Sequence, residues 1–128
     1  METSPDTRSS LYAREEWHRC VSTVGTPQPN PDPRNRRRDC RYTVPLARAT
    51  LTLAGAESAA IVEAQVVNVS ANGLMLRVRH PVSPGTPVWV DIDIDGARGA
   101  LVGRIVHMTQ CLGGYKLGIQ LEFPENIA

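Results

Sequence analysis

Lysine is nearly absent from this chain of 128 residues, which has one Lys against 13 Arg, and aromatic residues make up only 5% of it. The formal net charge is +1, so overall charge indicates neither a nucleic-acid-binding nor a membrane-surface protein. No apolar run approaches the roughly 20 residues that span a bilayer, and the first residues lack the basic and apolar regions of a secretory signal. We therefore expect a cytoplasmic protein without membrane insertion.

Cysteine is scarce as well. The three cysteines form no C-x-x-C pair, and an odd number cannot all be paired within one chain: Cys20, Cys40 and Cys111. That argues against a disulfide framework and against a thiolate metal site.

The polar residues show no assembled catalytic or metal site. Three carboxylates share one face of a predicted strand at spacings of roughly 7 Å, too far apart for one ion without another strand: Asp91, Asp93 and Asp95. The histidines have no motif around them, and Ser70 has no G-x-S-x-G context. We therefore predict a protein that is not an enzyme and holds no metal.

Charge divides the chain into parts. Residues 1–33 carry a net charge of −2, residues 34–41 carry +4 and residues 42–128 carry −1. Four prolines alternate in the segment TPQPNPDP, which disfavours helix and favours an extended polyproline chain. We predict an N-terminal tail over 1–33 that ends in this Pro-rich linker, followed by a single domain over 34–128.

The tail contains a possible short helix over residues 11–24. Apolar residues recur there at three- and four-residue intervals, as on one helix face: Ala13, Trp17, Cys20, Val21 and Val24. An isolated helix of this length is weak in water. The pattern leaves two alternatives open, a helix that docks on a surface and a frayed, disordered tail.

From Val44 onward apolar and polar residues alternate, as in half-buried strands. VWVDIDID and YKLGIQLEF show this most clearly. We predict strands over 44–53, 60–68, 73–79, 87–95, 99–108 and 115–123. Their hairpin-length connections favour antiparallel pairing, and closure of the sheet would remove its exposed edges. The predicted fold class is all-β, a six-stranded antiparallel barrel.

Five arginines within eight residues precede the first predicted strand: Arg34, Arg36, Arg37, Arg38 and Arg41. A guanidinium group binds phosphate through two hydrogen bonds, stacks on aromatic bases and pairs with O6 and N7 of guanine. The cluster could therefore grip a guanine nucleotide, or it could be a solvated basic hinge.

A second polar element follows about thirty residues later, in NVSANG between the second and third predicted strands. Its amide, hydroxyl and glycine are also what any turn would use. Together, Arg37-x-x-x-Arg41 ahead of a barrel and Asn68-x-Ser70-x-x-Gly73 within it resemble the two-part signature of the PilZ domain, a bacterial receptor domain for cyclic di-GMP. RRRDCR, GLMLRVR, PVSPGTPVWVDI and YKLGIQLEF extend the resemblance over residues 34–123.

The resemblance implies a PilZ-type barrel with the ligand on its outer surface and the arginine segment wrapped over it. Arg37 and Arg41 would hold phosphates and the Hoogsteen edge of guanine, with Arg36 or Arg38 stacking or adding charge.

The NVSANG turn would hold the other edge of the base. Asn68, Ser70 and Gly73 would receive it and allow close approach of the backbone. Where the family permits Asp or Asn, Asn68 offers one acceptor oxygen and no charge, which favours weaker binding. His107 is a further candidate for stacking on guanine, although a surface histidine paired across strands is the favoured interpretation. Asn72 is expected to adopt a left-handed backbone rather than to contact ligand.

The expected mechanism is an ordering of the chain. Residues 26–41 would be mobile without ligand, and binding would order them and move the N-terminal segment. The resemblance thus implies a receptor that signals to an unidentified protein partner in motility, biofilm formation or exopolysaccharide control, as a monomer or homodimer. A PilZ-like interaction module without nucleotide binding is the main alternative. A small nucleic-acid-binding barrel is a weaker one, because the net charge is near zero.

Overall fold

The computed structural model describes residues 10–28, 40–53 and 60–123. Within these ranges one helix, α1 (Arg14–Val24), precedes the strands. The strands are β1 (Thr26–Pro27), β2 (Arg41–Thr43), β3 (Ala47–Leu53), β4 (Ala60–Ser70), β5 (Gly73–Val78), β6 (Pro87–Ile94), β7 (Ala97–Cys111) and β8 (Gly114–Glu122). No helix in the described ranges is long and apolar enough to cross a membrane.

Strands β3 to β8 form a closed antiparallel barrel. Their order is β4, β3, β6, β7, β8 and β5, and β5 pairs back with β4. The predicted all-β fold and its six strands are therefore confirmed, with observed bounds within three residues of the predicted ones. The alternation of side chains explains this agreement, because one face of every strand fills the barrel and the other faces outward.

Two of the connections between predicted strands show the backbone that hairpins require. Asp95 and Gly96 have φ of 53° and 90°, and Gly113 has φ of 82°. Left-handed φ values match the twist of paired strands, which is why Asp-Gly and Gly-Gly are favoured there.

Helix α1 docks on the barrel and does not fray. Trp17 and Val21 are buried in the same apolar cluster as the inward side chains of the strands. The helix start is stabilised by Glu16, whose Oε1 accepts a hydrogen bond from the Ala13 N–H at 2.9 Å. Tyr12 packs beside Trp17 with ring centroids 5.4 Å apart. Burial of a large aromatic side chain supplies the tertiary stabilisation that a short helix lacks by itself.

The described ends of the arginine-bearing segment are anchored to each other. β1 pairs antiparallel with β2, with Thr26 opposite Thr43 and Pro27 opposite Tyr42. The Gln28 N–H donates to the Arg41 carbonyl at 2.8 Å. The expectation of a mobile segment over 26–41 is therefore wrong at both ends. Residues 29–39, with the predicted domain boundary near 34, lie outside the described residues.

Candidate ligand-binding site

An open depression of about 300 Å³ lies on the outside of the barrel. Its walls come from the outward faces of four neighbouring strands, β4, β5, β8 and β7, and from β2. Five residues that the sequence analysis selected line it: Arg41, Asn68, Ser70, Gly73 and His107. Arg36, Arg37 and Arg38 lie outside the described residues.

β2 places Arg41 at the rim of the depression. This short strand pairs with the end of β4, with Arg41 opposite Ser70 and Tyr42 opposite Val69. Since the Arg41 carbonyl also accepts from Gln28, the backbone that carries this guanidinium is bonded on both sides. Arg41 of the first motif and Ser70 of the second thus lie on adjacent strands.

A β-bulge sets the direction of the polar residues of β4. The β4–β5 register shifts between Val66 and Asn68, which re-phases the alternation of the strand. Val69 is then fully buried, and Asn68 and Ser70 stay half-buried on the outer face. Polar side chains at the depression and an apolar side chain in the core both depend on this one extra residue.

Ser70 is fixed by bonds to two parts of the fold. Its Oγ lies 3.4 Å from the Gly73 carbonyl, to which it donates a hydrogen bond. Its own carbonyl accepts from Trp17 Nε1 at 2.9 Å. Helix α1 therefore bears directly on the turn that carries the second motif.

Two glycines line the depression at positions where a side chain would make close contacts. A Cβ at Gly73 would lie 3.1 Å from the Ile119 carbonyl oxygen. A Cβ at Gly118 would overlap the imidazole of His107, which is its partner across the β7–β8 pair. The His107 ring thus lies over a residue without a side chain, on an exposed part of β7.

The electrostatics of the depression favour an anion. Arg41 is the only permanently charged residue among the described residues that line it, and none of them is a carboxylate. A second cation lies next to the rim, because Arg14 Nη1 donates to Asn72 Oδ1 at 2.8 Å. The Arg14 guanidinium carbon also lies 4.7 Å from the centroid of the Phe123 ring.

The expectation of a left-handed backbone at Asn72 is wrong. Its φ is not among the positive values of the described residues. Its side chain lines the depression and bonds Arg14, and its carbonyl accepts from the Leu121 N–H at 2.9 Å. Asn72 therefore joins α1, the turn and β8.

Sequence reasoning missed several other lining residues: Met75, Val106, Gly118 and Gln120. The alternation in YKLGIQLEF already places Gly118 and Gln120 on the outer face of β8. What it does not contain is the pairing of β8 with β5 and β7, which brings them to Gly73 and His107.

The aspartates of β6 are engaged in local bonds. Asp91 Oδ2 accepts from Trp89 Nε1 at 3.1 Å, and Asp93 accepts from the Gly96 N–H at 2.9 Å and pairs with Arg98 at 3.3 Å. In the described part of the chain, no group of three or more His, Cys, Asp or Glu residues could hold a metal ion.

Comparison with known proteins gives one family and one fold. The family model described as PilZ domain matches residues 34–128. Among solved structures, the PilZ domain with c-di-GMP of YcgR from Escherichia coli matches with a TM-score of 0.55 at 12% identity, over 68% of this chain and 78% of that chain. At that identity the likeness shows the fold alone. A search of the curated proteins finds no match.

Proposed function

The chain belongs to the PilZ domain family, and on that premise we propose that it is a non-enzymatic receptor domain for cyclic di-GMP. One observation carries the proposal: Arg41 from the first motif and Asn68, Ser70 and Gly73 from the second line the same depression. The solved relative, whose structure is described as a complex with c-di-GMP, supports the choice of ligand. Cyclic di-GMP is made of guanine bases and phosphates, which suit a site built from arginine, amide and hydroxyl groups.

In the proposed complex the described residues hold one guanine and a phosphate. The Arg41 guanidinium binds phosphate or the Hoogsteen edge, and Asn68 and Ser70 bond the opposite edge of the base. Gly73 lets the base approach the backbone, and the His107 imidazole, which covers Gly118, offers a flat surface for stacking.

The remaining part of the site comes from the arginine segment. A depression of about 300 Å³ is at the lower limit of ligand sites, which run from about 300 to 1,000 Å³. A dinucleotide therefore needs a further wall. Arg36, Arg37 and Arg38 lie in the sequence between Gln28 and Arg41. The Gln28 N–H donates to the Arg41 carbonyl beside the depression, so the chain on both sides of these arginines is held next to the candidate site.

We expect binding to order this segment as a closed loop over the ligand. Like charges repel in the free state, and two phosphates neutralise them in the complex. Because Arg14 bonds Asn72 at the rim, the same event alters how α1 meets the barrel. A cytoplasmic protein partner that touches both α1 and the loop would sense the ligand, in the control of motility, biofilm formation or exopolysaccharide synthesis.

Titration calorimetry with cyclic di-GMP tests the proposal. We expect Arg41→Ala and Arg37→Ala each to weaken binding by roughly 10- to 100-fold, since hydrogen bonds to charged groups contribute about 1.5–3 kcal/mol. Arg79→Ala is the matched control, because Arg79 is exposed beyond the end of β5 and outside the depression; it should leave affinity unchanged.

Two outcomes would overturn the proposal. Absence of heat from the folded parent protein would favour an interaction module without nucleotide binding. Equal losses in Arg79→Ala and Arg41→Ala would show a non-specific response to charge rather than this site.

The expected change at α1 has its own readout. Trp17 is fully buried beside the turn, and Trp89, the other tryptophan, lies on β6. In a Trp89→Phe background, fluorescence reports Trp17 alone. If the ligand changes the Trp17 fluorescence and Asn72→Ala diminishes that change, the Arg14–Asn72 hydrogen bond couples the depression to α1. An unchanged spectrum at saturating ligand would contradict this coupling.

A further inference from the structure

The barrel is split at one end, between β4 and β5. On one side of β4, pairing with β3 runs from Leu53 opposite Ala60 to Arg48 opposite Gln65. On the other side, pairing with β5 begins only at Gln65, opposite Arg77. β5 ends at Val78 and the chain bends away. Within the described residues, β4 therefore has no strand partner over 60–64 on the side that faces β5.

A cleft of about 740 Å³ occupies this split. Consecutive residues of both strands line it, 61–65 from β4 and 77–80 from β5. Residues from both faces of β4 and β5 line the cleft, at the place where β4 has no partner on this side. The cleft shares no lining residue with the depression, which lies near the other end of β4.

Alternate backbone groups of a strand point to each of its two sides, and those of an unpaired edge are free to bond another extended chain. Proteins commonly protect such edges with charged or inward-pointing polar residues. Here the edge carries Ile61, which is 74% exposed, and the half-buried Val62 and Ala64. Glu63 is the only acidic residue that lines the cleft in the described chain.

The opposite wall is basic. Arg77 and Arg79 both line the cleft, together with His80. Lys116 stands opposite Arg77 across the β5–β8 pair and extends the positive charge. A chain inserted between β4 and β5 would meet these cations on its outer face, and on its inner face it would meet apolar side chains, Val62, Ala64 and Val78.

We propose that this cleft binds an extended segment of a partner protein, in which apolar and acidic residues alternate, as an added strand on the edge of β4. Main-chain hydrogen bonds to residues 60–64 supply affinity, and the two faces of the cleft supply specificity for alternate side chains. The acidic residues of the segment face Arg77 and Arg79, and the apolar ones cover Val62 and Ala64. This interaction is independent of nucleotide binding.

Selection from a displayed library of random linear peptides on the full-length protein tests the proposal. We expect enrichment of peptides with alternating apolar and acidic residues. A selected peptide should lose at least about tenfold in affinity, or 1.4 kcal/mol, to Arg79→Glu and to Ile61→Glu, since both changes place a carboxylate on the face that meets the acidic residues of the peptide. Both positions are exposed, so these variants should fold.

Matched controls lie elsewhere on the surface. Arg98→Glu reverses an exposed arginine at the β6–β7 turn, and Leu46→Glu alters a leucine that is 79% exposed between β2 and β3. Neither should change peptide affinity more than about twofold. Arg41→Ala should leave peptide binding intact, whereas Arg79→Ala should leave the binding of cyclic di-GMP intact, so failure of one proposal is distinguishable from failure of the other.

Main-chain pairing has a separate test. Methylation of alternate backbone nitrogens in the peptide should abolish binding for one of the two alternate sets, because it removes the donors that face β4. The proposal is overturned if no peptide is enriched over a selection without protein, or if both methylated peptides bind as well as the parent. It also fails if light scattering shows that a second copy of the chain, disrupted by Ile61→Glu, occupies the edge.

Discussion

The two halves of β4 lie in different surroundings although they belong to one strand. Over 68–70 the strand pairs with β2 on one side and β5 on the other, and α1 bonds its last carbonyl. Over 60–64 it pairs, among the described residues, with β3 alone. The 68–70 half is bonded on both sides and carries side chains that line a polar depression, whereas the 60–64 half is an open edge beside a basic cleft.

This difference separates two kinds of recognition on one barrel. A small ligand needs side chains held in place before it arrives, which a doubly paired strand provides. An extended chain needs unpaired backbone groups, which only an edge provides. A barrel in which every strand is paired along its full length could hold a small ligand but would have no edge on which an extended chain could pair.

Amide hydrogen exchange should show the largest contrast. Amides of 68–70 that are bonded within the sheet should open only with global unfolding, whereas amides of 60–64 that face the cleft should exchange with little protection. Because small domains unfold with about 5 kcal/mol or more, the difference in opening free energy should be about that size. Equal protection along β4 would mean that the edge over 60–64 is covered and that the two halves of the strand do not differ.

Trp17→Ala should strongly destabilise the fold, because Trp17 joins α1 to the 68–70 half of β4. Loss of a fully buried tryptophan costs about 3–5 kcal/mol in the free energy of unfolding, and the Ser70 carbonyl also loses its donor. Urea unfolding measures the effect. Trp89→Ala is the matched control, since Trp89 is only half-buried and should cost clearly less. If both variants lost only a similar, small part of the free energy of unfolding, packing of α1 on the 68–70 half of β4 would not contribute to stability.

Gly118→Ala should cost about 1–3 kcal/mol by overpacking, because its Cβ meets the His107 ring. In a His107→Ala background the same change should cost less than about 0.5 kcal/mol. The coupling of the two substitutions in urea unfolding measures their contact directly. Additive effects would place the ring elsewhere and remove it from the floor of the depression.

The smallest expected effect is a dependence on alkaline pH at α1. Burial, followed by the influence of Cys20, raises the pKa of Tyr12 from 10.0 to about 12. A group with a raised pKa in the folded state contributes its full stability below pH 10 and loses it as pH rises to about 12. Tyr12→Phe should therefore lose less unfolding free energy than the parent between pH 10 and 12. Parallel pH profiles would contradict this.

The alternation of apolar residues predicted β3 to β8 because a barrel strand carries its own signal in every second side chain. The apolar spacing around Trp17 predicted α1 as a possible helix but left its docking open, since burial depends on a partner surface. β1 and β2 were not predicted. Pro27 and Tyr42 face each other across residues 29–39, and no local pattern encodes such a pairing.

The candidate site was predicted only in part, because some of its residues stand in local sequence motifs and others do not. Arg41, Asn68, Ser70 and Gly73 stand in recognisable motifs, and the structure brings all four to one depression. The roles assigned to them, and to Arg36, Arg37 and Arg38, stay predictions. Met75, Val106 and Gln120 carry no motif, because their place in the wall follows from which strands are neighbours.

The amino-acid sequence alone determined that this chain forms a six-stranded antiparallel barrel, because a two-residue period of burial is a property of each strand by itself. It also determined that cationic and amide groups are concentrated in two short segments. Only the tertiary structure decided that Arg41 lies beside the second of these segments, and that β4 has no strand partner among the described residues over 60–64 on the side facing β5. Both results depend on where distant strands pair and where β5 ends, which are properties of the closed sheet and not of any one segment.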